Sequence, residues 1–130
     1  MTLEYEFLEK WKLVLVKITG IVTFKEMAGH LTSLSKDPRY VPPMRKLIDL
    51  RECLNYSLTR EQAEKLAALN RELIHSFKDE RCAIVAPGDL AFGMSRAHEM
   101  YTSGSGLDIQ VFRKLRDALE WLGISSDELN

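Results

Sequence analysis

Asp49 is the polar residue of this sequence that most needs an explanation. It lies within Met44-Arg-Lys-Leu-Ile-Asp-Leu-Arg51, where Leu47, Ile48 and Leu50 make the surroundings apolar, and a carboxylate taken out of water without a partner is costly. It requires loop amides or a cation, with Arg51, Arg81 and Arg113 as the available cations. Structural pairing accounts for Asp49 more economically than catalysis does. Arg51 carries the planar fork that grips an anion through two bonds, although a lone arginine at a strand end serves an ion pair equally well. Ser57 and Thr59 stand where a loop meets a helix start. A phosphate on either would lie at that helix's positive end and could switch a binding surface. The simpler reading makes Thr59 a cap and Ser57 a loop serine.

Other chemistry-bearing residues do not assemble into a constellation. His30, His75 and His98 fall on separate helices without metal-ligand spacing, and each defaults to a surface or half-buried histidine. Cys53 and Cys82 form neither a close pair nor a Cys/His zinc set, so two reduced thiols are expected, Cys82 in the core and Cys53 in a more reactive loop. No Gly-x-Ser-x-Gly elbow occurs. Gly104-Ser-Gly106 follows a helix and precedes a strand, the reverse of a phosphate loop. No catalytic set, no metal and no cofactor is indicated.

These residues must be positioned by a fold, and the chain is long enough for one. At 130 residues it is one domain's worth, read as a single domain over 1–124 with a frayed tail at 125–130. Apolar residues at 45% and charged residues at 28% match an ordinary globular domain. Eighteen basic against nineteen acidic side chains supply no field for nucleic acid. Glu4, Glu6 and Glu9 occupy the place of a signal peptide's apolar core, and no long apolar run follows. A cytoplasmic protein without an integral membrane segment is expected.

Leu3, Tyr5 and Phe7 alternate with glutamates, the period of a half-wet edge strand, and Leu13 to Ile18 forms a second strand across a short turn. Gly20 is expected to release the chain. Thr23-Phe-Lys-Glu26 is a capping box for a helix to about Ser35, which Asp37-Pro38 ends. After Pro42-Pro43 comes the Met44–Arg51 run, a strand buried on both faces at the middle of the sheet. Residues 52–58 read as a loop. Thr59-Arg-Glu-Gln62 opens the longest helix, with Ala63, Leu66, Ala67, Leu73, Ile74 and Phe77 on one face and Asn70 the polar exception. Lys78 to Arg81 reads as a solvated link and Cys82 to Ala86 as an apolar strand. Asp89 can cap a third helix to about Tyr101, its face carrying Leu90, Ala91, Met94, Ala97 and Tyr101, with Gly93 explained by close packing. Residues 102–106 form a connector, Ile109 and Val111 a last strand, and Leu115, Ala118, Leu119 and Leu122 a final helix stopped at Gly123.

Strands alternating with helices predict an α/β layer fold. Its sheet is mixed but mostly parallel, with about five strands, about four helices and an initial antiparallel hairpin. In such sheets ligands gather at the carboxyl ends of the strands. There the candidate surface is Asp49, Arg51, Asn55, Ser57, Thr59, Asp89 and Phe92.

Five segments in order, Gly20-Ile-Val-Thr-Phe-Lys-Glu26, Asp37-Pro-Arg-Tyr40, Leu47-Ile-Asp-Leu-Arg51, Ala83-Ile-Val-Ala-Pro-Gly-Asp-Leu-Ala-Phe-Gly93, and Val111-Phe-Arg113 with Ala118-Leu-Glu-Trp-Leu122, resemble the SpoIIAA-like group of STAS-type bacterial proteins. The resemblance runs over nearly the whole chain. It implies β/α units packed on a mixed sheet, a shape shared with anti-sigma-factor antagonists and more distantly with CRAL-TRIO lipid-binding domains, and it implies no known reaction. The antagonists carry a phosphorylatable serine in an Asp-Ser-Ser/Ala-Gly motif at the start of the helix after the central strand. The matching region here reads Asn55-Tyr-Ser-Leu-Thr59, with no aspartate or glycine, and leaves Ser57 or Thr59 as the phosphoacceptor candidate. The expected function is a non-enzymatic regulatory module that binds a protein partner through residues 55–62. The alternative is a carrier or sensor holding a small apolar or anionic ligand, lipid included, between the helices near Asp49, Arg51 and Phe92. A homodimer is a further expectation, with the edge strand and Tyr40 and Tyr56 as its contacts.

Overall fold

The computed structural model describes residues 3–56, 58–73, 80–102 and 108–125. Strand β1 (Leu3–Leu8) passes through one 3-10 turn at Glu9–Trp11 into β2 (Leu13–Val22). There follow α1 (Phe24–Lys36), β3 (Arg45–Tyr56), α2 (Arg60–Glu72), β4 (Arg81–Val85), α3 (Asp89–Thr102), β5 (Asp108–Phe112) and α4 (Leu115–Leu122). The five strands lie in sequence order in one sheet, β1 antiparallel to β2 and every later neighbour parallel. The mixed α/β sheet with its opening hairpin is therefore as the alternation of patterns predicts, and β3 is its middle strand.

The pleat of β3 decides what lies on each side. Successive side chains of a strand point to opposite faces. Ile48 and Leu50 join the core under α1, α2 and α3, whereas Leu47 joins a second core with Ala83, Val85, Ala118, Leu119 and Leu122 under α4. Cys82 and Ile84 of β4 follow the first face, Ala83 and Val85 the second. By this parity Lys46 shares the face of Ile48, and Asp49 the face of Leu47.

Two expected ends lie elsewhere. Gly20 does not release the chain: β2 continues to Val22, and Gly20 sits at φ 73°, where the register against β3 shifts between Gly20 and Ile21. A bulge here demands a residue that tolerates positive φ. Gly20→Ala will therefore lower the unfolding free energy by about 1–2 kcal/mol, read as a reduced midpoint in urea with an unchanged slope. Residues 52–56 are not a loop either, because they pair with Thr19 to Val22. Since β4 pairs with β3 only from Arg45 to Asp49, this pairing prolongs β2 and β3 as a two-stranded ribbon beyond β4. Cys53 is accordingly a half-buried strand residue opposite Gly20, not a loop thiol.

The helix starts follow their caps. Thr23 Oγ1 accepts from the Glu26 amide at 3.3 Å and donates to the Glu26 carboxylate. Thr59 makes a full capping box with Gln62. Asp89 is the first residue of α3 and not its cap, and Gly88 supplies the first helical carbonyl, to Phe92. The longest described helix is α3, with 14 residues. Leu90 is exposed and Gly93 has open space beside it, so neither apolar packing of Leu90 nor crowding at Gly93 holds. It is Ser95 and Thr102 that are fully inside. Expectations for Ser57, Ile74, His75, Phe77, Lys78, Asp79, the connector at 103–106 and the tail at 126–130 fall outside the described residues.

Candidate functional site

At the carboxyl ends of the strands the candidate residues form closed pairs. Asp49 is 6% exposed, and Arg51 satisfies it with its amide, its Nε and one terminal guanidinium nitrogen, each at 3.0 Å. That bidentate grip raises the Arg51 pKa further above its ordinary range. The pairing predicted for Asp49 is present, and of the three cations considered it is Arg51. Arg81 instead lies 4.2 Å over Trp121 and 3.7 Å from Asp108. Arg113 bonds Asp89 at 2.7 Å and the Pro87 carbonyl at 2.9 Å, and covers the Phe92 ring at 4.0 Å. Asp89 and Phe92 are thus brought together by Arg113, separately from the Asp49 pair. Thr59 is exposed, with its oxygen 3.1 Å from the Gln62 amide, and Asn55 sits opposite Ile21 in the ribbon. Thr59→Ala will cost about 1 kcal/mol of stability, measured by chemical denaturation.

A second constellation lies on the other face of the sheet. Between β3, β4 and the helices α1, α2 and α3 is a cavity of about 40 Å³. Its apolar wall includes Ile18, Met27, Leu31, Ile48, Leu66 and Ile84. Its polar lining is Lys46, Asn70, Glu80, Cys82, Ser95 and His98. Asp49, Arg51 and Phe92 do not line it. The parity of β3 explains this for Asp49, which leaves the sheet toward α4 while Lys46 leaves it toward the cavity.

Burial governs the electrostatics here. Lys46 is 2% and Glu80 5% exposed. The Glu80 carboxyl is raised by burial, which Lys46 and a hydrogen bond donated by the Tyr40 hydroxyl partly reverse. Burial, then the Glu80 charge, raises the Tyr40 phenol in turn. His98 is lowered to about 4 by burial, then by Lys46 and Arg71. The Asn70 amide nitrogen lies 3.1 Å from His98 Nε2. As an amide nitrogen only donates, Nε2 accepts and the ring proton resides on Nδ1. His30, beside the same core, is lowered to about 2 by burial and then by Lys46, and neither ring nitrogen has a hydrogen-bond partner among the described residues. Cys82 is pushed up to about 12 by burial first, which keeps it a neutral thiol. Ser95 is wholly buried, and its hydroxyl too has no hydrogen-bond partner among the described residues.

Of this lining the sequence alone singles out Asn70, Cys82 and His98, and leaves Lys46, Glu80 and Ser95 unmarked. Lys46 stands in a strand read as buried on both faces, so the reasoning applied to Asp49 held equally for Lys46. Ser95, His98 and Thr102 recur at helical spacing and formed a polar stripe that an apolar template ignores. Glu80 falls in the link expected to be solvated and is instead buried. Nothing in its local sequence marks it, since its partners Tyr40 and Lys46 are distant in the chain.

No family model matches the sequence, and no curated protein matches it. Among solved structures the chain is similar to an uncharacterised protein of the DUF3478 family from Shewanella loihica PV-4, which has a SpoIIAA-like fold. The two share 27% identity over 92% of this chain and 91% of that one, with a TM-score of 0.57. The fold of this chain is SpoIIAA-like, as the sequence resemblance implies. No helix among the described residues is long and apolar enough to cross a membrane.

Proposed function

We propose that this chain is a non-enzymatic STAS-like module of the cytoplasm that binds a small molecule in the cavity between its sheet and helices α1, α2 and α3. The observation carrying this reading is the Ser95 hydroxyl, wholly buried in the cavity wall without a hydrogen-bond partner among the described residues. A buried polar group left unsatisfied costs about 1–3 kcal/mol, and a ligand or water bound there would recover that cost. The site differs from the one expected at Asp49, Arg51 and Phe92, whose polar groups already satisfy one another. Its size also selects against long-chain lipids. A water needs roughly 10–15 Å³ on this measure, so 40 Å³ holds only a few water-sized groups.

A protein partner is the second reading. Leu54 is 85% and Ile21 50% exposed on the ribbon that leads toward α2, and such side chains favour a covered surface. On this reading the contact spans Leu54 to Gln62, a phosphate on Thr59 would weaken it, and the free edge of β1 offers a route to a homodimer. Native mass spectrometry of the protein purified from its own host separates the two. The ligand reading predicts a small-molecule adduct that Ser95→Leu, which fills the cavity, abolishes. An adduct of equal occupancy in that variant, or a folded wild-type protein that retains no small molecule, contradicts it.

A further inference from the structure

We infer that the ligand of the cavity is an uncharged molecule of about four heavy atoms, its oxygen accepting a hydrogen bond from the Ser95 hydroxyl and its carbon body laid against Ile48, Leu66 and Ile84. The inference rests on the reading that the cavity binds a small molecule, and adds the ligand's charge, size and point of attachment to it.

The lining disfavours a charged ligand of either sign. Lys46 and Glu80 bring one group of each sign to the cavity, so a cationic head would come against Lys46 and an anionic head against Glu80. Neither group is available to neutralise a ligand, because Lys46 has a partner of its own and the Glu80 carboxyl already accepts from Tyr40. An ion moved from water into such a lining goes uncompensated, which is costly. The uncharged groups decide the rest. The Asn70 amide nitrogen is directed at His98, and burial holds both the His98 ring and the Cys82 thiol neutral. The Ser95 hydroxyl is wholly buried and bonded to nothing among the described residues. Its hydrogen requires an accepting atom, and an uncharged oxygen supplies one without bringing a charge into the cavity. Size follows from volume. At roughly 10–15 Å³ for each water-sized group, 40 Å³ holds about three or four of them. Ile48, Leu66 and Ile84 offer the carbon body an aliphatic wall.

The test is a titration of the full, isotopically labelled chain at pH 7, followed through its amide chemical shifts, with four probes of one shape and size. Acetone and acetamide are uncharged, acetate is an anion and acetamidinium a cation. Acetone and acetamide are expected to move the amides of Ile48, Ile84, Ser95 and His98 saturably. Acetate and acetamidinium should bind at least about tenfold more weakly, because each must leave water without a compensating charge. Ser95→Ala should weaken acetone severalfold, the loss of one uncharged hydrogen bond. The unliganded variant should melt no lower than wild type, as expected when an unsatisfied buried hydroxyl is removed. Acetate or acetamidinium binding as tightly as acetone would overturn the assignment of charge, and an unchanged acetone affinity in Ser95→Ala would overturn the bond to Ser95. In both cases the cavity stands as a ligand site. If none of the four binds, the inference is likewise overturned. The adduct test with Ser95→Leu then decides separately whether the cavity binds anything.

Discussion

Lys46→Met will lower the unfolding free energy by about 3 kcal/mol, and adding Glu80→Gln will restore a large part of the loss. Lys46 and Glu80 are both nearly inaccessible to water and line the same cavity, and the Lys46 charge offsets part of the rise that burial imposes on the Glu80 carboxyl. Removing one charge of a buried pair leaves the other uncompensated, which costs about 3–5 kcal/mol; the lower figure suits a pair in which Tyr40 still donates to Glu80. In the double variant the new amide could still accept from Tyr40 through its carbonyl oxygen but would carry no charge. The coupling energy from the four proteins, measured by urea denaturation at pH 7, should be about 1–3 kcal/mol. Strict additivity would show that the two groups do not interact.

Acid will destabilise the fold well above the ordinary carboxylate range. The folded pKa values of His98 and His30, about 4 and about 2, lie below the ordinary value of 6.5. In the unfolded chain both rings take up protons as pH falls through 6.5, and in the folded chain they do not. Stability is therefore complete above 6.5 and is lost as pH falls, down to about 4 for His98 and about 2 for His30. At pH 5 each histidine costs about 2 kcal/mol relative to pH 7.5. Glu80 acts in the opposite direction, since its raised folded pKa makes the native state the better proton binder between its ordinary and folded values. It offsets part of the loss. Urea denaturation at the two pH values should show a net drop of several kcal/mol. His30→Leu, which removes a ring whose nitrogens lack partners among the described residues, should recover about 2 kcal/mol at the lower pH. Equal stability at both pH values would contradict the burial assigned to the two rings.

The architecture was legible because its signals are local. The alternation in Leu3 to Phe7, the two Thr caps and the apolar runs around Ile48 and Ile84 each specify an element from a few adjacent residues. The ribbon was not legible, since residues 52–56 are extended through pairing with Thr19 to Val22, whose register depends on a glycine bulge. The same distinction separates the two sites. Asp49 and Arg51 are two positions apart, and their pairing could be anticipated. Lys46, Glu80, Ser95 and His98 come from two strand regions and a helix, and only the fold brings them to one cavity. Hydrophobic templates also count a serine or a histidine on an inward helix face as noise, although such residues report a polar interior.

The central claim is that the module's binding site is the cavity and not the ribbon surface. It is tested most directly by mapping amide chemical-shift changes in the isotopically labelled, ligand-stripped protein during titration with the small molecule released from the protein purified from its own host. The cavity account predicts saturable changes centred on Ile48, Ile84, Ser95 and His98, with Leu54, Thr59 and Arg60 unmoved. Changes confined to Leu54 and the start of α2, or a folded wild-type protein that releases no small molecule, would contradict it.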